Sequence, residues 1–541
     1  MKLIAFLFSL PLILFTHSIQ AQDIELKWGA PVKNVRGEYP SDVLGKDETG
    51  FYIFKSGSHV TLEKFDNNMN FVWRRELEIF LTKRIEVVFE DIILTKNKII
   101  VFTSHYDSKT DTKKLFASYI SKDGVIEPKL YEVNSFDNLS SKKSVVYDVT
   151  HSENSNSILI FSNFREKNTE KEKFHYKVID ENLLQKNQSF IELPYSGLNT
   201  SILDYLIDNA GNIHLVYRVN LKKEEENNRS NDDKIDFNYY IMSFYPATKE
   251  YKEYDLRVGD HLISGISLVI DKDSRYMYIP GFYSEKRLNA LKGTFISKID
   301  LINKKVIYAK QKDFDPVFLA AVYAKASDDD DEKKKDIEQA KKDAADKKKT
   351  KPKEQLYNYD ILDLFVNENE EVVVVSEQYY VHVVTTSTTS STGVTTYHTT
   401  YYYYYNNVMV TKFGADGERV WSSNIPKYQV TTNDGGFYSS VGIFFHNDVV
   451  YIFYNDNPAN GTVMSQKQLR TKNPQRSQLA LISVDGSGNL KKRVLMPAPA
   501  KGKGIATRPK FTVQVNDSQV LLLGYLSGQY KIGKLELSTQ K

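Results

Sequence analysis

The 541-residue chain contains no cysteine. That absence excludes disulfides, thiolate catalysis and cysteine-ligated zinc, and it leaves no cysteine to carry a lipid. Proline is scarce as well, and 15 residues are too few for a disordered, proline-rich coat. An excess of one charge is missing: 72 Lys and Arg against 69 Asp and Glu leave a net charge of +3. Such a balance makes no strong field for nucleic acid or a membrane surface. Beyond Phe15 no apolar run is long enough to span a bilayer.

What is present starts with Lys2 and the apolar run Leu3 to Phe15, broken only by Ser9 and Pro11, then a polar stretch to Ala21. This is the pattern of a cleavable secretory leader over residues 1–21. Residues 22–541 are then expected to be one soluble, extracytoplasmic domain. Without disulfides it must rely on its core, and a chain of about 500 residues can bury enough surface to do so. The 36 Tyr and 29 Phe, with abundant Val, Ile and Thr, favour strands.

One unit recurs: an apolar strand, a polar turn, then a more apolar strand. It reads Val43-Leu44 with Phe51 to Phe54, and Ile92 to Leu94 with Ile99 to Phe102. Later copies include Tyr205 to Ile207 with Ile213 to Tyr217, Leu364 to Val375, Ile443 to Phe453, and Val513 to Leu523. A second hairpin follows each of the first seven copies, closed by turns such as Asp66 to Asn70 or Asp485 to Gly488 and ending in a polar strand. Four strands running from apolar to polar are what a propeller blade requires. The expected fold is therefore an all-β propeller of eight four-stranded blades, with seven the alternative count. The last unit is one strand short, and Ile24 to Trp28 is a spare strand at the other end. Pairing the two would close the ring and remove two open sheet edges. Trp28, Trp73 and Trp421 are expected at matching places in outer strands.

Several units carry excess residues, in second-to-third-strand and blade-to-blade connections, which leave on one face of the disc. Lys222 to Asp236 is a polar loop. Asn455 to Gln478 holds the basic cluster Lys467, Arg470, Lys472 and Arg476, expected to be a solvated loop. The charge-dense run 325–355 is expected to be a lone solvated helix or a disordered spacer. The hairpin insertion 379–406 is the most unusual, with Thr385 to Thr392 between two tyrosine clusters and Gly393 for the turn. Alternate side chains face one way, so Tyr379, Tyr380, His382, Tyr397, His398, Tyr401, Tyr403 and Tyr405 are the candidate partner-binding residues. Phenol rings suit sugar faces or a partner's strand edge. His382 and His398 are expected to face each other, a slight hint of metal binding.

No metalloprotease His-Glu-x-x-His, phosphate loop or Gly-x-Ser-x-Gly elbow occurs. No catalytic residue, cofactor or metal site is therefore assigned. The stretch Val408 to Trp421, with Ile425-Pro426-Lys427, resembles a unit of the exported propeller-like proteins common in Bacteroidota. That resemblance implies fold and compartment and carries no catalytic residue. No sorting domain is evident after Leu537, so a periplasmic location is expected over the cell surface. The expected function is a non-enzymatic binding or scaffolding propeller of the bacterial envelope, holding a protein or glycan on its insertion-bearing face. It is expected to be a monomer outside any envelope complex, with no nucleic-acid partner and no membrane insertion. The alternative is a carbohydrate-active or glycan-binding protein with its site in the central channel.

Overall fold

The computed structural model describes residues 24–537, apart from 58, 83–84, 140, 143–144, 165–170, 197–198, 221–236, 257, 260, 286–289, 316–317, 320–321, 323–355, 390–394 and 462–468. The leader, the loop Lys222 to Asp236, the charged run 325–355, Lys467 and the hairpin turn with Gly393 lie outside the described residues.

The described residues form an all-β, propeller-like fold of four-stranded antiparallel sheets, taken up in sequence order. Sheets 1 to 8 begin with the first strands Glu38–Asp47, Val88–Leu94, Val145–His151, Thr200–Ile207, Leu262–Ile266, Tyr359–Val366, Gly442–His446 and Ala506–Asn516. First strands of neighbouring sheets lie against each other: Glu38–Asp47 touches both Val88–Leu94 and Ala506–Asn516. Fourth strands such as Lys305–Asp313 are largely exposed. Each sheet thus runs from the centre to the rim.

This layout explains why second strands are continuously apolar rather than alternating. A strand between two neighbouring sheets is buried on both faces. Ile99 and Val101 of sheet 2 pack with Tyr52 and Leu62 of sheet 1. Ile100 and Phe102 turn the other way, onto Val145, Tyr147 and Ile160 of sheet 3. Similar clusters join each later sheet to the next, as between sheets 3 and 4, 4 and 5, 5 and 6, 6 and 7, and 7 and 8. Another joins sheet 8 to sheet 1 through Leu521, Leu523, Tyr530, Phe51, Ile53 and Phe65. Each such side chain contributes roughly 1.5–3 kcal/mol when fully buried.

The two ends of the described chain meet. Ile24–Trp28 pairs antiparallel with Gln529–Leu537, from Ile24 opposite Leu537 to Trp28 opposite Gly533. It supplies the fourth strand that sheet 8 lacks. The expected tryptophan match is corrected, however. Trp73 pairs with Lys64 and Trp421 with Lys412, and their indole N–H groups donate to Lys122 O and Gly486 O of the following sheets. In sheet 8 the matching lysine, Lys534, pairs with Lys27. Trp28 is one residue further on and packs instead with Phe453 and Leu481 of the preceding sheet. A one-residue offset sends a strand side chain to the opposite face.

Candidate functional site

The hairpin of sheet 6 is the longest element, Val372–Thr389 paired with Thr395–Phe413. Its Tyr, Thr and Val residues favour extended backbone. Its base is part of the core. Tyr379 and Tyr405 are cross-strand partners with ring centroids 4.7 Å apart, and Tyr380 stacks on Tyr404 at 4.6 Å. Tyr405, expected at the binding surface, is buried at 4% exposure. Its hydroxyl accepts from Lys510 Nζ at 2.7 Å and its carbonyl from Lys427 Nζ at 2.8 Å. It anchors the hairpin rather than offering a contact.

Further out both faces meet solvent. One face carries Val381, Val383, Tyr397, Tyr401 and Tyr403; the other carries Tyr380, His382, His398 and Tyr402. Val383 is 50% and Tyr397 71% exposed, and Val381 and Tyr401 are exposed as well. Between 379 and 405 there is no Asp, Glu, Lys or Arg. Gln429–Thr432 covers one edge only as far as Tyr402 to Tyr405. The expected histidine pair is corrected: His382 lies opposite Tyr402 and His398 opposite Thr386. Four residues separate the two rungs, about 13 Å along the strands. They cannot share an ion.

The described parts of the basic loop after Asp456 are held by its own polar groups. Asn460 Nδ2 donates to Asp456 Oδ1 at 2.7 Å and to Arg470 O at 3.1 Å, and Asn457 caps Ala459 N. Arg470, Lys472 and Arg476 ride on that frame at the surface.

The first strands carry a repeated feature that the hairpin pattern alone did not mark as a site. Asp42, Asp91, Asp148, Asp204 and Asp363 occupy equivalent places in sheets 1, 2, 3, 4 and 6. In four of the five a bulge residue directly precedes the aspartate. Oδ1 accepts the next backbone N–H, from Ile92 to Asp91 at 2.7 Å, Tyr205 to Asp204 at 2.8 Å and Leu364 to Asp363 at 2.8 Å. An asparagine oxygen could do the same, so the bulge does not demand the charge. Enclosure by protein pushes the Asp91 carboxyl up to about 6, and the charges of Asp148, Asp42 and Glu90 add to that. Burial pushes Asp363 to about 6 and raises Asp42 and Asp204. Asp42 and Asp204 are nevertheless exposed at the surface. Tyr205 donates its hydroxyl to Asp148. The readable signal was an aspartate immediately before each apolar start, Asp42-Val43, Asp91-Ile92, Asp148-Val149, Asp204-Tyr205 and Asp363-Leu364.

No protein-family model matches the chain, and no curated protein matches its sequence. Among solved structures it is similar to Saccharomyces cerevisiae Sqt1 at 7% identity and a TM-score of 0.39, covering 94% of this chain and 98% of that one. A variant of Synechocystis apocarotenoid oxygenase is similar at 8% identity and a TM-score of 0.33, covering 72% and 74%. Likenesses this distant carry no argument about activity, and the fold assignment stands on the sheet order itself.

Proposed function

We propose that this protein is a binding or scaffolding module that holds a protein or glycan partner on the face bearing its hairpin. The observation that carries this reading is the uncharged, aromatic outer stem of the sheet 6 hairpin. Exposed edge strands are ordinarily protected by charge, proline or bulges, and Tyr380 to Thr389 has none of these but the single bulge at its base. A chain in which 26% of residues are charged leaves that stretch neutral. The test is affinity capture from native envelope extract with the intact protein and with Val381→Thr, Val383→Thr, Tyr397→Ser and Tyr401→Ser combined. Loss of a specific partner from the variant is expected; equal recovery from both rejects the hairpin as the binding surface.

The leader pattern and the likeness to exported Bacteroidota propellers support an envelope, periplasmic setting. N-terminal sequencing of periplasmic protein should begin at Gln22. The sheet-to-sheet clusters and the pairing of the first strand with sheet 8 support a closed ring of eight blades. Removing Ile24 to Trp28 should then cost roughly 3–5 kcal/mol of stability, since it uncovers an edge and deletes a large aromatic; an unchanged melting temperature would reject the ring. A second reading, glycan hydrolysis in the channel, is favoured by the carboxyls of Asp91 and Asp363, both near 6. It requires glycan cleavage that Asp91→Asn abolishes.

A further inference from the structure

The first strand of sheet 8 departs from the others. Arg508 lies opposite Leu523, yet Thr512 lies opposite the next residue, Leu522. Pro509, Lys510 and Phe511 therefore form a three-residue bulge, where the first strands of sheets 1, 2, 4, 5 and 6 skip one residue at a time and those of sheets 3 and 7 skip none. Bulges re-aim side chains next to working sites. This one is closed by Thr512 Oγ1, which donates to Pro509 O at 2.5 Å. It turns Lys510 toward the base of the hairpin.

Two cations meet there. The Arg508 guanidinium lies 4.4 Å from the Phe437 ring centre and donates to Pro40 O. Lys510 Nζ lies 4.3 Å from the Tyr405 ring centre and donates to its hydroxyl. Tyr39, Tyr438 and Tyr525 surround Phe437 in edge contacts at 5.9, 4.8 and 5.3 Å. Neither cation forms an ion pair among the described residues. Glu377, whose charge acts on Lys510, is committed to Lys427 at 2.7 Å and to Ser440 at 2.5 Å. Asp434 accepts the Gly436 N–H. Burial pulls the Lys510 ammonium below its usual range, the charges of Arg508 and Lys427 adding to it and those of Glu377 and Asp434 opposing it. Lys510 keeps accessible surface, and Arg508 is partly accessible.

Two like charges are held together with no directly bonded carboxylate among the described residues, because Glu377 and Asp434, whose charges act on Lys510, are bonded elsewhere. We propose that Arg508 and Lys510 form an oxyanion-binding site at the channel mouth, taking a carboxylate or phosphate group. Arg508 supplies its remaining N–H groups as a fork, Lys510 supplies a point charge with unused donors, and the rings of Tyr39 and Phe437 wall the site. The site is independent of the outer stem of the hairpin.

Calorimetric titration of the full processed chain tests this with three probes: inorganic phosphate, glucuronate and neutral glucose. Binding of phosphate or glucuronate, weakened by added salt, is expected, and the preferred probe identifies the source of the anion. Arg508→Gln and Lys510→Gln should each weaken it roughly ten- to hundredfold, and Arg508→Lys should fall between. The four-residue hairpin variant should bind the anion like the intact protein, which separates this site from the partner-binding surface. Should Arg508→Gln fail to fold, the exposed Lys510→Gln decides alone. Heats for both anions equal to those for glucose, or unchanged affinity in Lys510→Gln, would overturn the assignment.

Discussion

Asp42 and Asp47 stand five residues apart on one strand, and their carboxyls move in opposite directions. Asp42 accepts a bond from Val43 N–H on the first strand, where enclosure by neighbouring protein raises it. Asp47 closes the turn at the end of the same strand. Burial acts against it too, but Thr49 donates its hydroxyl at 2.6 Å and its N–H at 2.7 Å, and Tyr52 donates its hydroxyl at 2.8 Å. With Lys122 nearby, these donors bring Asp47 down to about 2. The number of donors aimed at the carboxylate decides the sign, and residue type decides nothing. Turn aspartates such as Asp47 and Asp300 hold the fold together, whereas the raised carboxyls of the first strands oppose it.

The largest effect should come from removing the stabilising member. Asp47→Ala strands the buried Tyr52 hydroxyl and the turn amides and should cost roughly 2–4 kcal/mol at pH 7, read from a denaturant midpoint. A folded carboxyl near 2 stabilises above the unfolded value of about 4, and that stability is lost as pH falls through the folded value. The difference between Asp47→Ala and the parent should therefore shrink from pH 4 downward.

Asp91→Asn should act the other way. Its native carboxyl near 6 holds a proton that the unfolded chain releases near 4, so parent stability falls as pH rises from 4 to 6. The substitution should raise stability by about 1–2 kcal/mol at pH 7, after allowing for channel water, and by little at pH 4. Melting temperatures across that range check it, and equal slopes for the two proteins would break the contrast. Asp148→Asn should move the Asp91 carboxyl down by less than about one unit in a carbon-detected NMR titration, because burial ranks ahead of that neighbour. A larger fall would make mutual repulsion the main cause.

The hairpin units were readable because a strand buried on both faces must be apolar at every position, as in Ile99 to Phe102. The long tyrosine hairpin was readable from Tyr379 to Tyr405 for a related reason, since extended backbone suits those residues. Its register was not. One bulge between Glu377 and Tyr379 sets every rung above it, and so His382 meets Tyr402. The aspartate arc was visible as residues but not as a site, because its members come from five sheets. Arg508 and Lys510 were hidden further, inside a bulge that no local pattern announced.

By itself the sequence determined the strand repeats, their polar turns and the missing strand of the final unit, all of which follow from local periodicity and composition. Only the tertiary structure decided which face Trp28 takes, which tyrosine is an anchor, and which cations meet without a directly bonded carboxylate. Those outcomes depend on register and on enclosure by distant sheets, and a single offset in pairing reverses them.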